Sequence, residues 1–246
     1  MYEDIYNQIK LAAEKKNLKP STANAYCHTI RHFLDYTGKP WNELIIDDAD
    51  AFLTAKRLSG VMPETYNHYY SAIRFMYKRI LKLYWDEDEI SRMKRDRALP
   101  VILSKDEINS ILDATKNLKH KAIIATMYSG GLRVSEVVHL HYDDISRSNK
   151  SIHIRNTKNR RDRYTILADR TLDLLTEYWF QCGKPRSILF PSQWTHNYLD
   201  ISSVNQFLKQ CKKAGITKHF SSHTFRHSFA SHLLEAGVTL NIFKHY

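Results

Sequence analysis

Between Asp86 and Pro100 the chain runs through a polar, charged stretch, with Arg92, Lys94, Arg95 and Arg97 leading up to the proline. Such a composition reads as a linker. It requires the residues on either side to fold around separate cores. A chain of 246 residues is long enough for two modest domains. The boundaries expected are 1–85 for the first domain, 86–101 for the linker and 102–246 for the second.

Before the linker the pattern is helical. Ile5, Ile9 and Ala12/Ala13 give one apolar stripe, and Tyr26, Ile30, Phe33 and Leu34 give a second. Pro20 opens the second helix and Gly38 stops it. Asp47 or Asp48 is the expected cap of a third, which carries Phe52 and Leu53 and ends near Gly60. Pro63 starts a fourth, with Tyr66, Tyr69, Tyr70, Ile73, Met76, Tyr77 and Ile80. That stripe is read as bundle core with some hydroxyls at the surface. Four short amphipathic helices pack most simply as a small bundle.

After the linker, Ser104 and Glu107 form a capping-box pattern. A buried helix is expected over Ala122–Met127, ending at Gly130-Gly131, and a short one over 133–140. Ser151–Arg155 and Arg163–Leu167 read as strands around a polar turn, with a further short strand at Ile188–Phe190. Helices are expected at about 170–181, 202–214 and 222–236. The fold class is therefore mainly α: a helical bundle followed by an α+β domain with a small antiparallel sheet.

The net charge of +11 favours a polyanionic partner, and it is uneven. Residues 1–98 hold 16 basic and 14 acidic side chains, whereas residues 99–246 hold 21 and 12. The excess sits in the second part, with a dense run at Arg155, Lys158, Arg160, Arg161 and Arg163. Arg155, Arg160, Arg161 and Arg163 of that run, together with Arg74 and Lys78 on the fourth helix, are the candidate DNA-binding residues. Cys27, Cys182 and Cys211 are separated and odd in number, which suits a reducing compartment. With no signal pattern and no long apolar run, a soluble cytoplasmic protein is expected.

Three segments carry the chemistry. Gly131-Leu-Arg133-Val-Ser-Glu136 puts an arginine after a glycine turn at a helix start. His223-Thr-Phe-Arg226 puts a histidine and an arginine on one face of a helix's first turn, where free N–H groups favour an anion. Lys158 lies in the turn between the two strands. Arginines that bind two oxygens and stay charged, with a lysine and a histidine to move a proton, suit phosphodiester chemistry. Each residue also admits a plainer reading. Arg133 suits a pair with Glu136 one turn on, and Lys158 suits a solvated charge. His223 and His227 have zinc-like spacing but no evident third ligand, and His28/His32 and His139/His141 are read as surface or DNA-facing groups.

The run Ser129-Gly-Gly-Leu-Arg133-Val-Ser-Glu136 and the run His223-Thr-Phe-Arg226-His-Ser-Phe-Ala-Ser-His-Leu-Leu-Glu-Ala-Gly237 resemble the two signature boxes of the tyrosine recombinase (phage integrase) family. Thr157-Lys158-Asn-Arg-Arg-Asp-Arg163 resembles the family's hairpin, and the N-terminal bundle its SAM-like core-binding domain. The resemblance implies that Arg133 and Arg226 clamp the scissile phosphate and that Glu136 supports them. It implies that Lys158 protonates the leaving 5′-oxygen and that His223 assists proton transfer. It further implies two domains clamped around double-stranded DNA, a 3′-phosphotyrosyl intermediate and no need for metal or cofactor. Alongside DNA, it implies as partners further copies of the chain or a full-length relative.

The family places a Leu-Gly-His segment and then its tyrosine nucleophile after the second box. By the spacing of that box both fall beyond Tyr246, which is itself only a weak candidate. A catalytic domain lacking its last helices is expected, and with it either a recombinase impaired in cleavage or an inactive DNA-binding module.

Overall fold

The computed structural model describes residues 2–95, 99–155, 162–184, 186–211 and 215–238. The chain divides into two compact units, 1–98 and 99–246.

The first unit is a bundle of Glu3–Glu14 (α1), Pro20–Thr37 (α2), Ile46–Leu58 (α3) and Pro63–Met76 (α4), with a π-helical turn over Tyr77–Leu81. Pro20 and Pro63 occupy first-turn positions, where a missing N–H costs nothing. Gly38 closes α2 in the left-handed conformation at φ 66°. The inward faces meet in a core around Ile5, Ile9, Ile30, Phe33, Phe52, Leu53, Ile73 and Met76.

One expectation changes here. The cap of α3 is Ile45, not Asp47 or Asp48. Asp48 sits three positions inside the helix and accepts the Ile45 backbone N–H at 2.9 Å, half of a capping box. Two buried tyrosines of the stripe, Tyr66 of α4 and Tyr77 of the turn after it, have internal partners: Tyr66 donates to the Ser91 carbonyl at 3.1 Å and Tyr77 to the Ile45 carbonyl at 2.8 Å.

The first of those bonds shows a larger correction. The segment read as linker does not leave the bundle at Asp86. Trp85 and Ile90 are buried in the bundle core. The Asn67 side chain holds Met93 from both sides, donating to its carbonyl at 2.9 Å and accepting its N–H at 3.0 Å. A buried amide that satisfies both main-chain groups of one residue fixes that residue in place.

The second unit builds Lys105–Ala114 (α5), Leu118–Ser129 (α6), Val134–Val138 (α7), Asp169–Gln181 (α8), Ile201–Cys211 (α9) and Ser222–Glu235 (α10) around a three-stranded antiparallel sheet. Ser104 and Glu107 cap α5 reciprocally, at 3.1 and 2.7 Å. Most of α6 is buried, and α8 and α10 pack against it. The strands are Ile145–Ser146 (β1), Ser151–Ile154 (β2) and Arg163–Ile166 (β3), in that order, with Ile152 opposite Thr165 and Ile154 opposite Arg163. The strand expected at Ile188–Phe190 is a single bridge from Ile188 to His141. The bridge is antiparallel, with Leu189 N–H donating to the Leu140 carbonyl at 2.8 Å and Tyr142 N–H to the Ser187 carbonyl at 2.9 Å.

Candidate active site

The turn between α6 and α7 decides where the site lies. Gly131 has φ +58°, and a Cβ placed on it would lie 2.3 Å from Cδ1 of Phe229 on α10. The backbone favours glycine, and the approach leaves no room for a Cβ. The approach brings in the residue one turn earlier on α10: Arg226 donates from Nη1 to the Gly131 carbonyl. On the other side of the turn, Thr165 of β3 donates to the Gly130 carbonyl at 2.8 Å.

Arg133 follows as the cap residue of α7, with extended backbone. Its backbone N–H reaches Glu136 Oε2 at 2.8 Å and its Nη1 reaches Oε1 at 2.9 Å. Arg163 grips the same carboxylate with both prongs, Nη1 to Oε1 at 2.9 Å and Nη2 to Oε2 at 2.8 Å. Arg226 Nη1 lies 3.8 Å from Oε2. Three arginines from α7, β3 and α10 therefore converge on one carboxylate. The Glu136 side chain is 6% exposed, whereas Arg133 and Arg226 each keep about a third of their surface open to solvent. The acid is the inner anchor and the guanidinium groups form the outer face.

Burial alone would push the Glu136 carboxyl up. The Arg163 hydrogen bonds, then those from Arg133, outweigh it and hold the group at about 2. Burial, and next the neighbouring Arg133, push Arg226 down from the ordinary arginine range. Crowded cations around one buried acid leave a positive surplus that an incoming anion relieves. Arg163 and Arg226 also rim a cleft of about 450 Å³ whose other walls include Phe229, Leu233 and Ile166.

Both parts of this architecture match known families. Residues 102–246 match the phage integrase family, and residues 5–87 match the phage integrase N-terminal SAM-like domain. The chain belongs to the phage integrase family. It is 31% identical to a tyrosine recombinase of Thermosipho africanus over 236 residues, covering 90% of this chain and 82% of that one. It is 28% identical over 266 residues to the tyrosine recombinase XerD of Oceanobacillus iheyensis, covering 98% and 86%. Among solved structures, XerH site-specific recombinase bound to its difH substrate gives a TM-score of 0.71 at 22% identity, over 96% of this chain and 74% of that one. A lambda integrase tetramer bound to a Holliday junction gives 0.72 at 15% identity, over 98% and 74%. At these identities the two structures show a shared fold.

Within this family member, the structure brings together Arg133, Glu136 and Arg226 of the sequence-derived set. His223 is exposed on the first turn of α10, one turn ahead of Arg226. Arg163, read from sequence as a DNA-binding residue, is held on Glu136. Arg155 donates to the buried Asp144 at 2.7 Å. In the first unit Arg74 and Lys78 both face Glu87, Lys78 at 3.4 Å. Lys158, Arg160, Arg161 and Tyr246 lie outside the described residues. Sequence reasoning missed the grip of Arg163 on Glu136 and the seat of Gly131 on Phe229. Neither has a local signal, because each joins residues 27 or more positions apart. Among the described residues, no three His, Cys, Asp or Glu side chains are grouped as a metal site, and no helix is long and apolar enough to cross a membrane.

Proposed function

We propose that this chain is a site-specific DNA recombinase whose second unit holds a phosphodiester of double-stranded DNA on Arg133 and Arg226. The observation that carries this is the convergence of these two arginines, each with open surface, around the buried Glu136 in a member of the phage integrase family. Guanidinium groups held before the phosphate arrives neutralise the charge that grows on its non-bridging oxygens, and they need no reorganisation. In strand cleavage a tyrosine oxygen bonds to phosphorus as the bond to the 5′-oxygen breaks. Lys158 supplies the proton to that oxygen and His223 assists its transfer. The 3′-phosphotyrosyl bond retains the energy for rejoining, so neither metal nor ATP is consumed. The remaining partners are further recombinase protomers on the same DNA, either copies of this chain or a full-length relative, in the cytoplasm.

The test is duplex binding by the full chain, with trapping of a covalent protein–DNA adduct on nicked substrates. Salt-sensitive duplex binding is expected, and Arg226→Ala should lower any adduct formation by about 10²–10³-fold. Absence of duplex affinity at low salt in folded protein would remove the proposal. Binding without any adduct would leave the chain a DNA-binding module.

A further inference from the structure

The Glu136 carboxylate offers about four lone-pair directions, and four donors fill them. They are the Arg133 backbone N–H, Arg133 Nη1 and both prongs of Arg163, all at 2.8–2.9 Å. Half of that set comes from β3. Because side chains alternate along a strand, Arg163 and Thr165 share a face. Thr165 fixes that face to the Gly130 carbonyl. Strand β3 thus touches both the glycine turn and the acid beside it. Arg133 spends a single side-chain nitrogen on Glu136 among these bonds.

We propose that Arg163 is a positioning residue for the phosphate site, saturating Glu136 so that Arg133 and Arg226 keep their remaining donors for a DNA phosphate; this rests on the function proposed above. Without Arg163 the buried carboxylate keeps two empty acceptor positions. Among the described residues Arg133 is then its nearest remaining side-chain donor, and the two close into a forked pair that withdraws Arg133 from the phosphate. Among the described residues, the charged groups facing Glu136 are Arg133 from the cap of α7, Arg163 from β3 and Arg226 from α10. Removing one of three lets burial dominate, and the carboxyl rises from about 2. A carboxyl held low is ionised through the acid range and loses its role only as pH falls through its own value. Raising that value moves the loss into milder acid.

The experiment follows the Glu136 side-chain carboxyl by ¹³C NMR in the full chain, assigned with Glu136→Gln, together with duplex affinity against pH. In the native protein the signal should stay ionised and binding stay level through mild acid. In Arg163→Gln the midpoint should rise by about 1–3 pH units, and duplex affinity should already be reduced at neutral pH, where the ionised Glu136 holds Arg133 away from the phosphate. Arg163→Lys, with the charge but not the fork, should recover part of the shift. A Glu136 midpoint unmoved in folded Arg163→Gln overturns the proposal. If that variant unfolds, Arg163→Lys carries the test, and native behaviour in it overturns the proposal equally. If no form binds duplex, the function proposed above fails while the titration still decides the role of Arg163.

Discussion

Gly131 shows how a single residue places the chemistry. Its left-handed backbone and its seat against Phe229 let α10 approach until Arg226 reaches the turn that precedes Arg133. Gly131→Ala combines a positive-φ cost with a Cβ driven into a ring held in the core. Together these should cost about 2–4 kcal/mol. Thermal unfolding of the single variant and of Gly131→Ala/Phe229→Leu separates the two terms. The double variant should recover the steric part, so the two substitutions should be strongly non-additive. Simple additivity would mean that the ring yields freely and does not set the approach. At this scale the two boxes were legible because their glycines, arginines and histidine stand at fixed local spacings. Arg163 was legible only as a charge. Its partner is 27 residues away, and nothing in a strand of alternating residues says which acid faces it.

At the scale of elements, periodicity and caps carried most of the reading. Pro20, Pro63, Gly38 and the Ser104–Glu107 box act within one turn of the backbone, so they show in sequence. The end of the first unit did not. Ile90 is an isolated apolar residue in a charged run and has no period to reveal it, yet it is 4% exposed. Asn67 is a polar residue inside a helix, a position that carries no expectation of burial until Met93 is seen on both its polar atoms. These two facts make a testable difference. If residues 86–93 were a solvated linker, Asn67→Ala would be nearly silent. Because Asn67 is buried and pairs both main-chain groups of Met93, its loss should cost about 1–3 kcal/mol and lower the thermal midpoint of the first unit. An unchanged midpoint would return these residues to the linker.

For the whole molecule, the sequence showed where positive charge accumulates but not how much of it a polyanion can use. Residues 99–246 carry the larger excess, yet several of their cations already face carboxylates. Those pairs are of two kinds. Arg155 and Arg163 sit on acids almost closed to solvent, Asp144 and Glu136. Breaking such a pair strands a buried charge, so a phosphate cannot cheaply compete for the cation. Lys150 and Asp169 meet at 2.8 Å with more than half of each side chain exposed. A surface pair of that kind is weak and yields to a phosphate. Lys150 also lines the cleft beside Arg163 and Arg226, on the face proposed to meet DNA. Counterion release then separates the two kinds, since each phosphate neutralised contributes about 0.9 to the slope of log affinity against log salt. Lys150→Gln should flatten that slope by about one and weaken binding alike on unrelated duplexes. Asp169→Asn should strengthen binding at low salt, because it frees the lysine without stranding a buried partner. An unaltered slope in Lys150→Gln would place the DNA path away from the cleft, on the remaining cations of this unit.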